Sequence, residues 1–339
     1  MKSYCIAVPK KKGEEVRVAL LEGGLLRKDR SIARNKNFIY FPINDVGEDS
    51  ILGYEVLERE FEILERRVKS YKDVVNVANE LRKLLPTSFD IIGKIALVKL
   101  SDEILDYKKE IGNAIIQVNK SIETVALDLG VEGEERIRRL EILAGKKTTE
   151  TLHKEYGIEL EIDPFKIYFS PRLATEHWRI AQMVEEGEVI IDMFCGVGPF
   201  SILISNYCKP KLIYAIDINE EAVFYLERNI KRNKVSNIKP ILGDSKAIVP
   251  KLESADRIIM NLPFSSYEFL STAFSNVKNN GIIHYYEVLT DKKKERRFED
   301  LIKIGEESDV IIKKLSDKAV HTYSPDSSLF CFDLKVERR

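Results

Sequence analysis

Ile190-Ile191-Asp192-Met193-Phe194-Cys195-Gly196-Val197-Gly198-Pro199-Phe200-Ser201 is an apolar run that stops at a carboxylate and then turns through two glycines into a helix. Residues 189 to 191 read as a strand buried on both faces, as in a parallel sheet. Gly196 and Gly198 let the backbone turn tightly and come close to a bound molecule. The stretch predicts an α/β fold with a nucleotide-like cofactor held just beyond the end of a strand.

Downstream, the next strand, Leu212-Ile213-Tyr214-Ala215-Ile216, ends at Asp217, whose carboxylate can accept both hydroxyls of a ribose. Leu242-Gly243-Asp244-Ser245 follows the third strand and places Asp244 where it can face an adenine amino group. Arg257-Ile258-Ile259-Met260 runs into Asn261-Leu262-Pro263-Phe264, a tight polar turn carrying an aromatic over the same edge. Ser201 stands where a dinucleotide fingerprint would have its third glycine, so the pattern supports adenosine and does not support nicotinamide. Taken singly, each aspartate reads equally well as a strand-end or helix-cap carboxylate. Together they form an ordered set.

Between these motifs the chain alternates strands near 189–192, 212–217, 238–242, 256–260 and 281–287 with helices near 199–207, 219–233, 245–252, 266–279 and 291–305. Val310 to Lys314 and Leu329 to Val336 close it as a hairpin-like pair. Upstream, residues 73–163 predict a second α+β unit. A helical pattern from Val74 to Leu85 leads into two strands around Gly93-Lys94, a helix from Asp102 to Val118, a strand from Ser121 to Leu129, the alternating Arg136 to Gly145, and Thr151 to Gly157 turning into Ile158–Ile162. Residues 1–68 predict a small α+β unit: a strand at Tyr4 to Val8, a helix from Glu14 to Leu26, the alternating Phe38 to Ile43, and Tyr54 to Leu64. The basic stretch Arg66 to Lys72 reads as a linker.

Composition narrows the class. With 339 residues, 44% of them hydrophobic, the chain can bury a substantial core, and it lacks the run of roughly 20 apolar residues that a membrane span needs. No signal-peptide pattern opens it, so the expected place is the cytoplasm. The four cysteines, Cys5, Cys195, Cys208 and Cys331, never pair as C-x-x-C, which indicates neither a disulfide framework nor a metal site. With 54 basic and 55 acidic residues the chain is no nucleic-acid coat, although folding can still segregate a basic patch.

The ordered set Asp192 to Ser201, Asp217, Asp244 and Asn261-Leu262-Pro263-Phe264 resembles the class I S-adenosylmethionine-dependent methyltransferases, the last element standing as a variant of their N-P-P-Y motif. A closer resemblance spans nearly the whole chain. Arg136-x-Arg138-x-Leu140-Glu141-x-Leu143-Ala144-Gly145, His153-Lys154-Glu155-x-Gly157 and Phe169-Ser170-Pro171-Arg172-Leu173-x-x-Glu176, upstream of the glycine turn, are similar to the archaeal Trm5 family, which methylates N1 of guanosine 37 in tRNA.

The resemblance implies a monomer of three parts: a tRNA-elbow module (1–68), an RNA-binding α+β middle domain (73–163) and a Rossmann-like catalytic domain (164–339). It implies S-adenosyl-L-methionine as cofactor, contacted by His177, Asp192, Phe194, Gly196, Gly198, Asp217, Ile218, Asp244, Ser245 and Asn261, and tRNA as partner at its anticodon loop and elbow. Guanine N1 carries a proton, so methyl transfer needs a base and a donor for charge developing at O6. By the family's motif Glu176 is the base, Arg136 fits the O6 donor, and Asn261 orients the guanine or holds the methyl donor.

Blander readings stand beside these. Glu176 fits a first-turn helix acid, and Arg136 fits a phosphate contact or a solvated charge. His177 occupies a position where the family often has arginine. His153 reads as structural. Tyr168, Phe169, Arg172, Trp178, Arg179 and His321 to Pro325 can line the path of an extruded purine, although Trp178 fits a core equally well. Lys292 to Arg297 reads first as a solvated helix face. A wyosine-pathway paralogue, acting on the tricyclic base or transferring an aminocarboxypropyl group, is the nearest alternative. A non-catalytic tRNA-binding protein is an alternative of another class, and a dehydrogenase comes third.

Overall fold

The computed structural model describes residues 1–44, 47–63, 70–133 and 137–339, and the chain divides into two compact units, Met1–Asp73 and Val74–Arg339. In the first, Lys2–Pro9 is the centre of a five-stranded antiparallel sheet with Ala33–Arg34, Phe38–Pro42, Ser50–Ile51 and Tyr54–Glu60. The helix Gly13–Glu22 shares a core with it through Val16, Leu20, Ile6, Val8 and Phe41. The helix stops four residues short of the expected Leu26 because Gly23-Gly24 follows. Gly24 adopts φ +65°, and the Leu25 amide donates back to the Leu20 carbonyl. The expected strand from Tyr54 ends at Glu60. Leu64 and residues 66 to 69 of the expected linker lie outside the described residues.

The second unit begins without the expected helix. Instead of a helix from Val74 to Leu85, the chain runs extended into a 3-10 turn at Asn79–Leu84. Val75 and Val77 are buried while Asn76 and Ala78 are exposed, a period of two that suits β-branched side chains better than a helix does. Asp90–Ile92, Ile95–Val98, Thr124–Glu132 and Ile137–Gly145 then form a four-stranded sheet. Gly93 turns between the first two at φ +54°. A Cβ there would lie 2.3 Å from Thr151 Oγ1, so the turn accepts only glycine where the hairpin Thr151–Glu155/Ile158–Ile162 crosses it.

The remaining strands are labelled β1 (Val189–Asp192), β2 (Leu212–Asp217), β3 (Ile238–Leu242), β4 (Ala255–Met260), β5 (Val277–Leu289), β6 (Val310–Ser324) and β7 (Ser327–Arg338). They lie in the order β3-β2-β1-β4-β5-β7-β6; β1 to β5 are parallel, and β7 runs antiparallel between β5 and β6. Alternate residues feed two cores, Ile190, Ile213 and Ile259 on one face and Ile191, Ile216 and Ile258 on the other. That double burial explains the continuous apolar runs in the sequence. The helix expected to reach 279 ends at Asn276, because Val277 already pairs with Ala255 of β4.

The hairpin 151–162 is fastened to the helix Glu220–Arg232. Asn229 and Asn233, one turn apart, each accept a backbone N–H and donate to a backbone carbonyl of Glu161 and Glu159, at 2.7 to 3.1 Å. The two amides thus act as a substitute strand along an open edge.

Candidate active site

Asp192, at the end of β1, is fully buried. Ser201 donates its hydroxyl to Oδ2 at 2.8 Å, whereas Oδ1 has no partner. Burial pushes the carboxyl up to about 7; the neighbouring Asp217 adds to the rise and the Ser201 hydrogen bond opposes it. A buried carboxylate oxygen without a partner is costly in a folded chain and marks where a ligand would donate. The glycine turn follows. Gly196 sits at φ +53° with open space where a Cβ would be. Gly198, at φ +87°, would bring a Cβ within 2.4 Å of Leu226 and caps the helix Pro199–Cys208. The first glycine leaves room beside the turn and the second lets the helix close on its neighbour.

Asp217 holds this turn in place. Its Oδ2 accepts the Gly196 N–H at 2.7 Å and its Oδ1 the Asn219 N–H at 3.0 Å, so it joins β2 to the end of β1. Ile218, beside it, is 53% exposed for a large apolar side chain. Asp244 is exposed and accepts the Lys246 amide as a helix cap, the plainer of the two roles its position allowed. Ser245 is buried and donates to the Met193 carbonyl at 2.6 Å, tying β3 to the glycine turn. Phe194 packs edge-on against Phe269. Asn261 stands at the end of β4 with a buried, unpartnered Oδ1, the same signature as Asp192. Ser266 braces its turn through the carbonyls of Met260 and Leu262.

Glu176 lies in the first turn of the helix Ala174–Ala181 and is 2% exposed. Oε1 accepts from Tyr286 (2.7 Å) and Arg179 Nη2 (2.6 Å), and Oε2 from Arg179 Nε (2.8 Å). Burial alone would raise this carboxyl, but the Arg179 fork and the Tyr286 hydroxyl overcome it and hold Glu176 below its ordinary value. Of the roughly four acceptor positions of a carboxylate, one remains, on Oε2.

Arg179 also donates to Asp333 at 2.7 Å; Asp333 accepts from His284 Nδ1 at 2.6 Å, and Arg257 donates to His284 Nε2 at 2.7 Å and to Glu188. This order makes His284 a neutral imidazole carrying its proton on Nδ1. Among the described residues, His284, Cys331 and Asp333 form the one group of metal-ligand type, and the two arginines already occupy it. The chain from Glu188 to Glu176 was not foreseen from the sequence. Its signal was present in single charged or polar residues, Arg257, His284 and Asp333, inside otherwise apolar strands.

His177, expected at the cofactor, turns Nδ1 to Glu155 of the hairpin at 2.7 Å and its ring edge-on to Phe200. His153 accepts the Gly93 amide and packs against Phe169, a structural role. Trp178 stacks on Tyr156 and meets Tyr207 edge-on, in an aromatic group apart from the Glu176 contacts. Arg138 is buried against Asp128 and lies 5.2 Å from the Tyr168 ring, so it is a structural cation. Arg136 lies outside the described residues.

The strand order, the glycine turn after β1 and the unpartnered oxygens at the ends of β1 and β4 define a Rossmann-like, S-adenosylmethionine-dependent methyltransferase. Family models described as the TRM5/TYW2 methyltransferase domain, the TYW2 N-terminal domain and the tRNA methyltransferase 5 N-terminal domain match residues 151–313, 72–148 and 5–51. The chain is 45% identical to the tRNA (guanine(37)-N(1))-methyltransferase Trm5b of Pyrococcus abyssi, over 98% of this chain and 99% of that protein. The chain belongs to the Trm5 family.

The crystal structure of Trm5b from Pyrococcus abyssi superposes with a TM-score of 0.81, at 44% identity over 99% of both chains. The complex structure of aTrm5 and tRNALeu superposes with a TM-score of 0.74, at 36% identity over 98% of this chain and 99% of that one. No helix among the described residues is long and apolar enough to cross a membrane.

Proposed function

We propose that this chain transfers a methyl group from S-adenosylmethionine to N1 of guanosine 37 in tRNA. The observation that carries the reading is Glu176, a buried carboxylate held ionised by Arg179 and Tyr286 with one acceptor position left. S-adenosylmethionine supplies an electrophilic methyl on a positively charged sulfur. In this reading Asp217 and Ile218 would contact the ribose and adenine, Asp192 and Phe194 line the turn, and the Asn261 amide would orient guanine or donor at the end of β4.

Glu176 Oε2 would take the N1 proton and Arg136 would neutralise charge gathering at O6, so that the N1 pair bonds the methyl carbon as its bond to sulfur breaks and S-adenosylhomocysteine leaves. Holding guanine and methyl donor in line supplies much of the acceleration. His177 acts one step back, keeping the hairpin 151–162 against the helix that carries Glu176.

In this reading residues 1–68 grip the tRNA elbow, 73–163 bind the RNA as a middle domain, and 164–339 carry out the transfer as a cytoplasmic monomer. The compactness of Met1–Asp73 as its own unit supports the first assignment. The test is an unmodified tRNA transcript incubated with enzyme and S-adenosylmethionine, with the product nucleotide mapped by mass spectrometry. N1-methylguanosine at position 37 is expected, and its absence overturns the reading. A parallel arm with tRNA carrying the tricyclic wyosine base tests the paralogue activity that the shared TRM5/TYW2 domain leaves in view.

A further inference from the structure

The long hairpin β6–β7 continues past the sheet at the edge where the glycine turn follows β1. Its pairing with β5 ends at Leu289↔Ser328, and the tip, closed by Ser324 and Ser327, lies beyond. Tyr323 is 50% exposed there and meets Phe264 of the Asn-Leu-Pro-Phe turn edge-on, with centroids 5.4 Å apart. Phe264 is itself 54% exposed, and its turn is tied to β5 by the Val288 amide on the Pro263 carbonyl. His321, on the same side of the strand, keeps its ring within 18° of parallel to Tyr323 and is oriented by donation to the Thr322 carbonyl. Aromatic surface left this exposed contributes little to folding and marks a contact.

Beside it, the helix Asp291–Glu307 begins two residues after β5 ends. Its inward cations are paired, Lys294 with Asp317 and Arg297 with Glu287. Lys292, Lys293 and Arg296 face solvent, and among the described residues none of them has a carboxylate partner. Rings for stacking and, at the same edge of the sheet, cations without carboxylate partners are the chemistry that recognises single-stranded RNA, because every base has a π-face and every linkage a phosphate.

We propose that Tyr323 and His321, propped by Phe264, form a stacking platform for an unpaired nucleobase flanking the target guanosine, with Lys292, Lys293 and Arg296 on the adjoining phosphates. The inference rests on the reading of this site as a tRNA methyltransferase. It assigns the hairpin tip to substrate recognition, outside the proton and methyl transfer.

The test uses the full chain and a tRNA transcript with 2-aminopurine at position 36 or 38. Wild-type protein is expected to change the fluorescence of one of the two. Tyr323→Ala should abolish that change and weaken tRNA binding about tenfold or more, while Tyr323→Phe keeps both. Lys292→Glu with Lys293→Glu should reduce the salt dependence of binding by about two phosphate contacts. All variants should bind S-adenosylmethionine like the wild type, which reports that they are folded. If wild type methylates guanosine 37 and Tyr323→Ala retains both the fluorescence change and the affinity, the platform is overturned. If wild type fails to methylate, the functional reading falls and the platform with it.

Discussion

Around Asp192 the deciding contacts are short in sequence: Ser201 lies 9 residues away, and Asp217, which grips Gly196, lies 21 from it. Around Glu176 only Arg179 is near; Tyr286 lies 110 residues away, and Asp333 lies 154 from Arg179. The donor side is a turn of backbone whose shape follows from glycine and a few caps. The acceptor side is a buried set of charges that exists only when three strands and a helix are in register. A local turn tolerates change elsewhere in the chain, whereas the charge set links its reactive group to distant strands.

The largest expected effect tests the acceptor side. Glu176→Gln should lower single-turnover methylation by roughly 10²- to 10⁴-fold while S-adenosylmethionine binding, read by calorimetry, stays intact. Retained methylation would remove Glu176 as the base. Because Arg179 and Tyr286 hold the wild-type carboxyl below its ordinary value, the acid limb of activity should lie below the usual carboxylate range. Arg179→Lys removes the two-pronged fork and should move that limb upward.

On the donor side, Asp192 carries the next effect. Its carboxyl titrates near 7 in the fold against 3.8 as the ordinary value, so the folded state holds its proton more tightly. Stability of the ligand-free protein should therefore fall as pH rises from about 4 to 7 and level off above that. Asp192→Asn should abolish this slope and stabilise the ligand-free protein at pH 8 by up to roughly 4 kcal/mol, while weakening S-adenosylmethionine. Urea unfolding at pH 5 and 8 reads the first, and calorimetry the second.

The two glycines separate space from conformation. Gly198→Ala adds a Cβ against Leu226 at positive φ and should cost about 2–3 kcal/mol. Gly196→Ala meets nothing and should cost about 1 kcal/mol, through its φ alone. Thermal unfolding of both variants checks the order, and equal losses would show that packing at Gly198 is not the constraint.

The strands of the catalytic domain were legible because double burial writes itself as unbroken apolar runs, and their ends because Asp192, Asp217 and Asn261 interrupt them. The stretch from Val74 to Leu85 suggests a helix because its apolar spacing fits both periods, and only packing shows that Val75 and Val77 share a side. Asp244 was legible as a strand-end acid, yet its capping of the Lys246 amide required coordinates. Trp178 stands in the sequence among substrate-facing candidates, but Tyr156 and Tyr207 claim it.

By itself the sequence determined the donor turn, the order of strands and helices around it and the family, since each depends on neighbours along the chain. Only the tertiary structure decided that Glu176 shares Arg179 with Asp333, that His177 belongs to Glu155, and that Phe264 meets Tyr323 at the sheet edge. Such pairings join residues tens to more than a hundred positions apart, and electrostatics and stacking act on separation in space, which strand register sets and residue type does not.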